Sequence, residues 1–149
     1  MTQRSRPTLV PELTCRDAAA SRAFYVDVLG FSALYDRPAQ GFFYLTKDGA
    51  ELMIEQASDA SWMTGSPDGP VGQGVHFQIM THGIDDLHQR CRDAEVTIFR
   101  ELEDAWYRAG DHYIGQRQLV ILDPDGFTLR FAEPLGTRDV PPDSGRAVT

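Results

Sequence analysis

At 149 residues, with 42% apolar and 10% aromatic content, the chain is long enough to bury one sizeable core and short for two ordinary domains. Its formal net charge of −8, with 14 Lys and Arg scattered rather than clustered, argues against a nucleic-acid surface and favours a cationic ligand. No apolar run approaches the roughly 20 residues of a membrane span, the polar start is not followed by an apolar signal core, and Cys15 and Cys91 lack CxxC spacing; a cytoplasmic protein with reduced thiols is expected.

The first expected strand covers residues 8–13. It leads through Thr14-Cys15-Arg16 to Asp17, whose carboxylate can cap a helix over 18–29. Ala20, Ser21, Phe24, Val28 and Leu29 share a face of that helix, and Gly30 supplies the stop. Strands follow at 31–35, 42–45 and 51–56, the last two joined by Lys47-Asp48-Gly49, a hairpin signal. Composition then changes. Residues 57–73 are rich in Gly, Ser, Pro and Asp, with Trp62 and Met63 as their large apolar side chains, and read as a connecting loop. Beyond it come a strand at 75–81, a helix at 85–94, and strands at 96–102, 116–122 and 127–133, the last two joined by Asp123-Pro124-Asp125-Gly126. Residues 134–149 are polar, with Pro134 and Pro141-Pro142, and are expected to be a disordered tail.

Strand, polar link, helix and further strands thus occur twice, each copy closing on an Asp-Gly turn: Asp48-Gly49 and Asp125-Gly126. This internal repeat makes the chain an α+β protein of two βαβββ modules. The first module lies at about 8–56, the linker at 57–73 and the second module at about 74–133, within a single domain over 8–133. Gly49 and Gly126 are further apart than Thr14 and Thr81 by about ten residues, which are assigned to the stretch between Glu103 and Tyr113. Alternation within strands adds direction. Val75, Phe77 and Ile79 should cover a helix and leave His76, Gln78 and Met80 on the opposite face, as Glu51, Met53 and Glu55 oppose Ala50, Leu52 and Ile54. A curved sheet whose second face lines a cavity has this pattern.

Val10-Pro11-Glu12-Leu13-Thr14-Cys15-Arg16-Asp17, Phe24-Tyr25 and Leu29-Gly30-Phe31 resemble the opening of bleomycin-resistance proteins, members of the glyoxalase/bleomycin resistance protein/dioxygenase (vicinal oxygen chelate) superfamily. Gly115-Gln116-Arg117-Gln118, Asp123-Pro124-Asp125-Gly126-Phe127 and Leu129-Arg130-Phe131 are similar to the same family's close. The resemblance covers roughly 8–133 and implies an incompletely closed, eight-stranded barrel-like sheet around a cleft. The superfamily's metalloenzymes place ligands on the first and last strands of each module, at positions that match Val10, Glu55, His76 and Arg130 here. Glu55 and His76 could ligate; Val10 has no donor and Arg130 is cationic, so no metal, no other cofactor and no catalytic residue is expected. A metal-dependent glyoxalase-like lyase or ring-cleaving dioxygenase is the alternative, and it needs Glu12 or Glu133 as a displaced ligand.

The resemblance implies instead a homodimer that sequesters a flat, partly cationic antibiotic, such as bleomycin, in clefts at the subunit interface without modifying it. In such dimers the first strand is exchanged and carries a proline at its start. Pro11 matches that position, and an ordinary edge-strand proline explains it equally well. Such a ligand asks for aromatic faces and carboxylates. Tyr35, Phe42, Phe43, Tyr44, Trp62, Trp106 and Tyr107 are the aromatic candidates; Trp62 and Trp106-Tyr107 stand out because their loop-like surroundings explain core packing less well. Glu55 can fix a cationic group, and Met53, His76 and Gln78 complete the cavity-facing set. Arg117 and Arg130 either pair with Glu55 or Glu133 as struts or meet an anionic group of a ligand. A scaffold with a vestigial cleft is a third reading, in which none of these side chains responds to a ligand.

Overall fold

The computed structural model describes residues 4–69 and 71–149. Residues up to Val71 form one compact unit and those from Gly72 a second. The first unit runs β1 (Glu12–Cys15), α1 (Ala18–Arg22) continuing as a π-helical stretch (Ala23–Val28), β2 (Ser32–Arg37), a 3-10 turn (Pro38–Gln40), β3 (Phe42–Lys47) and β4 (Ala50–Gln56). Its sheet has the order β1-β4-β3-β2, with β1 parallel to β4 and the other pairs antiparallel.

Strand β1 begins at Glu12 rather than residue 8. Pro11 has no N–H to give the ladder, but its carbonyl accepts from Met53 N at 2.8 Å, so pairing with β4 of the same chain starts there. Asp17 caps α1 as expected, its Oδ1 accepting from Ala20 N at 3.1 Å. The expected single helix widens after Arg22: Leu29 N bonds Phe24 O, five residues back, at 3.0 Å. The wider turn brings neighbouring Phe24 and Tyr25 into the core together, edge to face with centroids 5.1 Å apart. Asp48 and Gly49 both take positive φ, 51° and 87°, which a two-residue hairpin turn of the right twist requires at both central positions. Phe43, Leu45, Leu52 and Ile54 are buried on the sheet face carried by the registers Phe43↔Ile54 and Leu45↔Leu52. Each such burial is worth ~1.5–3 kcal/mol.

The second unit runs β5 (His76–Met80), α2 (Ile84–Asp93), β6 (Ile98–Ala109), β7 (His112–Leu122), β8 (Thr128–Arg138) and β9 (Arg146–Val148), in the sheet order β5-β8-β7-β6-β9. Along β5, Ile79 is buried and Phe77 half-buried while His76, Gln78 and Met80 are exposed, as the alternation predicts; Val75, expected on the covered side, precedes the strand and is 51% exposed. On α2, Ile84, Leu87 and Cys91 face inward, and burial pushes the Cys91 thiol up to about 11, so it stays protonated and inert at neutral pH. The turn before β8 is held by Asp123, whose Oδ1 accepts from Asp125 N at 2.9 Å and Phe127 N at 2.8 Å.

Two expectations change here. The loop-like surroundings expected for Trp106 and Tyr107 are strand instead: the extra residues, between Glu103 and Tyr113, lengthen β6 and β7 into a long hairpin that turns between Ala109 and His112. Nor is 134–149 a featureless tail, since β8 continues to Arg138 and β9 pairs in parallel with β6 through Ala105↔Arg146 and Tyr107↔Val148. The α+β class stands, with nine strands in two open sheets among the described residues in place of the expected eight. No described helix is long and apolar enough to cross a membrane.

Candidate functional site

Cross-strand partners share a sheet face, so the registers of the first unit collect one set of side chains. Glu12↔Met53, Thr14↔Glu55, Phe42↔Glu55, Tyr44↔Met53, Tyr35↔Tyr44 and Arg37↔Phe42 all fall opposite the face of Phe43 and Ile54. Tyr35 stacks on Tyr44 with centroids 5.2 Å apart and lies 5.9 Å from Phe42, while the Arg37 guanidinium sits 3.6 Å above the Phe42 ring. At one end of this face the Tyr44 hydroxyl donates to Glu51, which also receives Arg4. The hydrogen bond to Glu51 and burial together push Tyr44 above its ordinary value, so it is a neutral donor at physiological pH.

At the other end lies a cavity of about 400 Å³ lined by Glu12, Thr14, Arg37, Glu55, Ala60 and Trp62. Trp62 is 99% exposed there. Arg37 is already engaged, donating to Gln40 at 2.7 Å, whereas neither Glu12 nor Glu55 joins an ion pair among the described residues. Chemically this is an acidic hollow beside aromatic faces.

The second unit holds a smaller cavity of about 150 Å³, lined by His76, Arg100, Tyr107, Gln118, Arg130 and Arg146 together with Phe99, Val120 and Thr128. Tyr107 Oη donates to Gln118 Oε1 at 2.9 Å, and Gln118 Nε2 donates to Glu103 Oε1 at 2.9 Å. Gln116 Nε2 donates to Gln118 Oε1 at 2.9 Å and to Gln78 Oε1 at 3.3 Å. Burial alone would raise the Glu103 carboxyl, but donors from Gln118 and Arg146 and the Arg146 and Arg100 charges hold it below its usual value.

The expected site residues therefore divide. Tyr35, Phe42, Met53, Glu55 and Trp62 share the first unit's face or cavity, and His76, Tyr107 and Arg130 line the second unit's, with Gln78 tied in through Gln116. Trp106 does not belong. It lies in β6, not a loop, and is 8% exposed with its ring against Gly115 and the Arg138 guanidinium 5.1 Å from it. Arg117 likewise turns to the other face, bonding Asp104 at 2.8 Å and Asp85 at 3.4 Å; Asp104 first of all pushes its ionisation further up. Glu133, offered as its partner, instead accepts from Gly83 N and Ile84 N at the start of α2. Phe43 is core.

Sequence reasoning missed Thr14 and Arg37, which the period-two alternation of β1 and β2 could have supplied, and Arg146, for which a three-residue strand offers no periodic signal. The donor set of the superfamily's metal site does not fit: Val10 has no donor, Arg130 is a cation, and no three His, Cys, Asp or Glu side chains gather among the described residues.

The chain is 27% identical over 135 residues to a bleomycin resistance protein of Geobacillus stearothermophilus, covering 85% of this chain and 96% of that one. A protein of unknown function from Agrobacterium tumefaciens shares the fold at TM-score 0.65 and 24% identity, over 90% of this chain and 98% of that one. A lactoylglutathione lyase from the same organism does so at TM-score 0.55 and 23% identity, over 87% and 96%. The family model of the Glyoxalase/Bleomycin resistance protein/Dioxygenase superfamily matches residues 8–131, and the chain belongs to that superfamily.

Proposed function

We propose that this protein binds a flat, partly cationic small molecule without transforming it, as a sequestering protein of the bleomycin-resistance type. The observation that carries the reading is the acidic cavity of the first unit, where Glu12 and Glu55 have no ion-pair partner among the described residues and Trp62 presents an open indole. A ligand cation gains from both carboxylates and from the aromatic faces, and its rings have the Trp62 surface to stack on. The name carried by the Geobacillus stearothermophilus relative points to the same ligand class. A homodimer belongs to this reading, because the proteins that the sequence resembles are expected to hold their ligand at a subunit interface.

Calorimetric titration with metal-free and copper-loaded bleomycin tests it. Binding is expected with at least one form, weakened about tenfold (~1.4 kcal/mol) by Glu55→Gln and by Trp62→Ala. Silence with both forms at high micromolar ligand, in heat and in thermal shift, removes bleomycin as the target. A monomeric mass from light scattering, against 16.6 kDa per chain, removes the interface cleft.

A further inference from the structure

Arg130 carries a buried, unmet donor in the second unit. That atom, Nε, has no hydrogen-bond partner among the described residues, and the guanidinium lies 6.0 Å from the Tyr107 ring. An unmet buried donor of this kind costs ~1–3 kcal/mol unless something accepts from it. Around it the charged lining of the cavity is entirely basic: Arg100, Arg130 and Arg146. Glu103 offsets only part of that charge, taking Arg100 Nη2 at 3.2 Å and Arg146 Nη2 at 3.2 Å on one oxygen, while Arg130 is left out. In a chain of net charge −8 this is a local inversion of sign.

The remaining walls narrow the ligand. Phe99 and Val120 are apolar, and Tyr107 is fixed at both ends of its hydroxyl, donating to Gln118 and accepting from Arg146 Nη2 at 3.0 Å. A volume of about 150 Å³ is half the ~300 Å³ where drug-sized pockets begin, so the cavity takes a small molecule or one end of a larger one.

We propose that the second unit carries an oxyanion site, in which Arg130 with Arg100 and Arg146 receives the carboxylate of a small acid whose flat body lies against Tyr107 and Phe99. Guanidinium forks match the two oxygens of a carboxylate, and the ring faces match a planar body. The site includes the C-terminal strand, because Arg146 reaches the cavity from β9. It goes beyond the cation-binding cavity of the first unit and does not depend on it.

Benzoate is the probe, titrated into the full-length protein by chemical-shift mapping or calorimetry, with inorganic phosphate, acetate and benzylamine as comparisons. Saturable benzoate binding is expected at a dissociation constant on the order of 1 mM, tighter than acetate or phosphate, while benzylamine should leave the resonances of the second unit's cavity (Tyr107, Arg130, Arg146) unmoved. Arg130→Gln and Arg146→Gln should each weaken it at least tenfold; Arg146 is 41% exposed in its side chain, so that variant tests the site even if Arg130→Gln does not fold. Benzoate affinity equal in wild type and both folded variants overturns the assignment, as does no binding at all. Phosphate binding as tight as benzoate overturns the flat-bodied acid. Bleomycin reports on the first unit's cavity and benzoate on the second's, so each reading can fail alone.

Discussion

Trp106 and Gly115 face each other across the β6–β7 ladder, and each fixes what the other can be. A Cβ on Gly115 would fall 2.5 Å from Trp106 Cζ3 and 2.6 Å from Cε3 and Cη2, closer than packed carbon atoms approach. The indole is 8% exposed, so it cannot swing into solvent without leaving its place in the sheet. Gly115→Ala is therefore expected to cost ~1–3 kcal/mol, the usual penalty of overpacking. Thermal or urea denaturation checks it, and a midpoint unchanged within error would show that the ring has room. The same pair explains why Trp106 was misjudged from its neighbours. Glu103, Asp104 and Arg108 make the stretch look like an exposed loop, yet a long strand only needs every second residue polar, and the glycine that makes space for the ring lies on the next strand. Trp62 sits among Gly, Ser and Pro with no such partner among the described residues and is 99% exposed.

Helix α2 shows what local sequence could and could not announce about an element. Its N-cap, Gly83, has no side chain to offer, and Glu133 on β8 supplies the acceptor instead, taking Gly83 N at 3.0 Å and Ile84 N at 3.3 Å. The carboxylate also meets the positive end of the helix, beside Asp85 and Asp86 in the first turn. Glu133→Ala should lower stability by ~0.5–2 kcal/mol, the range for losing a cap, and hydrogen exchange at the Ile84 amide should accelerate. Glu133→Gln keeps one acceptor and should fall between; an unchanged exchange rate in the alanine variant would mean that water serves the helix start as well. A cap fifty residues away leaves no local mark, whereas Asp17, Asp48-Gly49 and Asp123 each act on backbone within a few residues of themselves and were legible for that reason. Element existence followed hydrophobic period, so all eight expected strands are present. The ninth, β9, is three residues whose place is set by the open edge of β6 and by Arg146 meeting Glu103 and Tyr107, which no window of sequence contains.

At the scale of the whole chain, the two units share an element order but not a set of side chains. Each unit repeats strand, helix and three further strands, to which the second adds β9, while the positions that the resemblance matches to the superfamily's metal ligands hold Val10 and Glu55 in the first unit, His76 and Arg130 in the second. A Lewis-acid site needs ~3 donors in fixed geometry. Two of the four positions cannot donate, and one of them would repel the ion. The repeat was readable because it recurs over about seventy residues; the replacement of chemistry was readable because it changes residue type at matched positions. What could not be read is how each unit then used its own face: carboxylates and an open indole in the first, guanidiniums around a tyrosine in the second. The consequence for metal follows directly. Protein dialysed against a weak chelator should carry far less than one equivalent of zinc, manganese, iron, nickel or copper by elemental analysis, and His76→Ala should leave that content unchanged, because a lone imidazole beside a guanidinium has no second anchor for a divalent ion. One equivalent of metal, lost on His76→Ala together with lyase or dioxygenase activity, would overturn the binding reading and place this chain among the superfamily's enzymes.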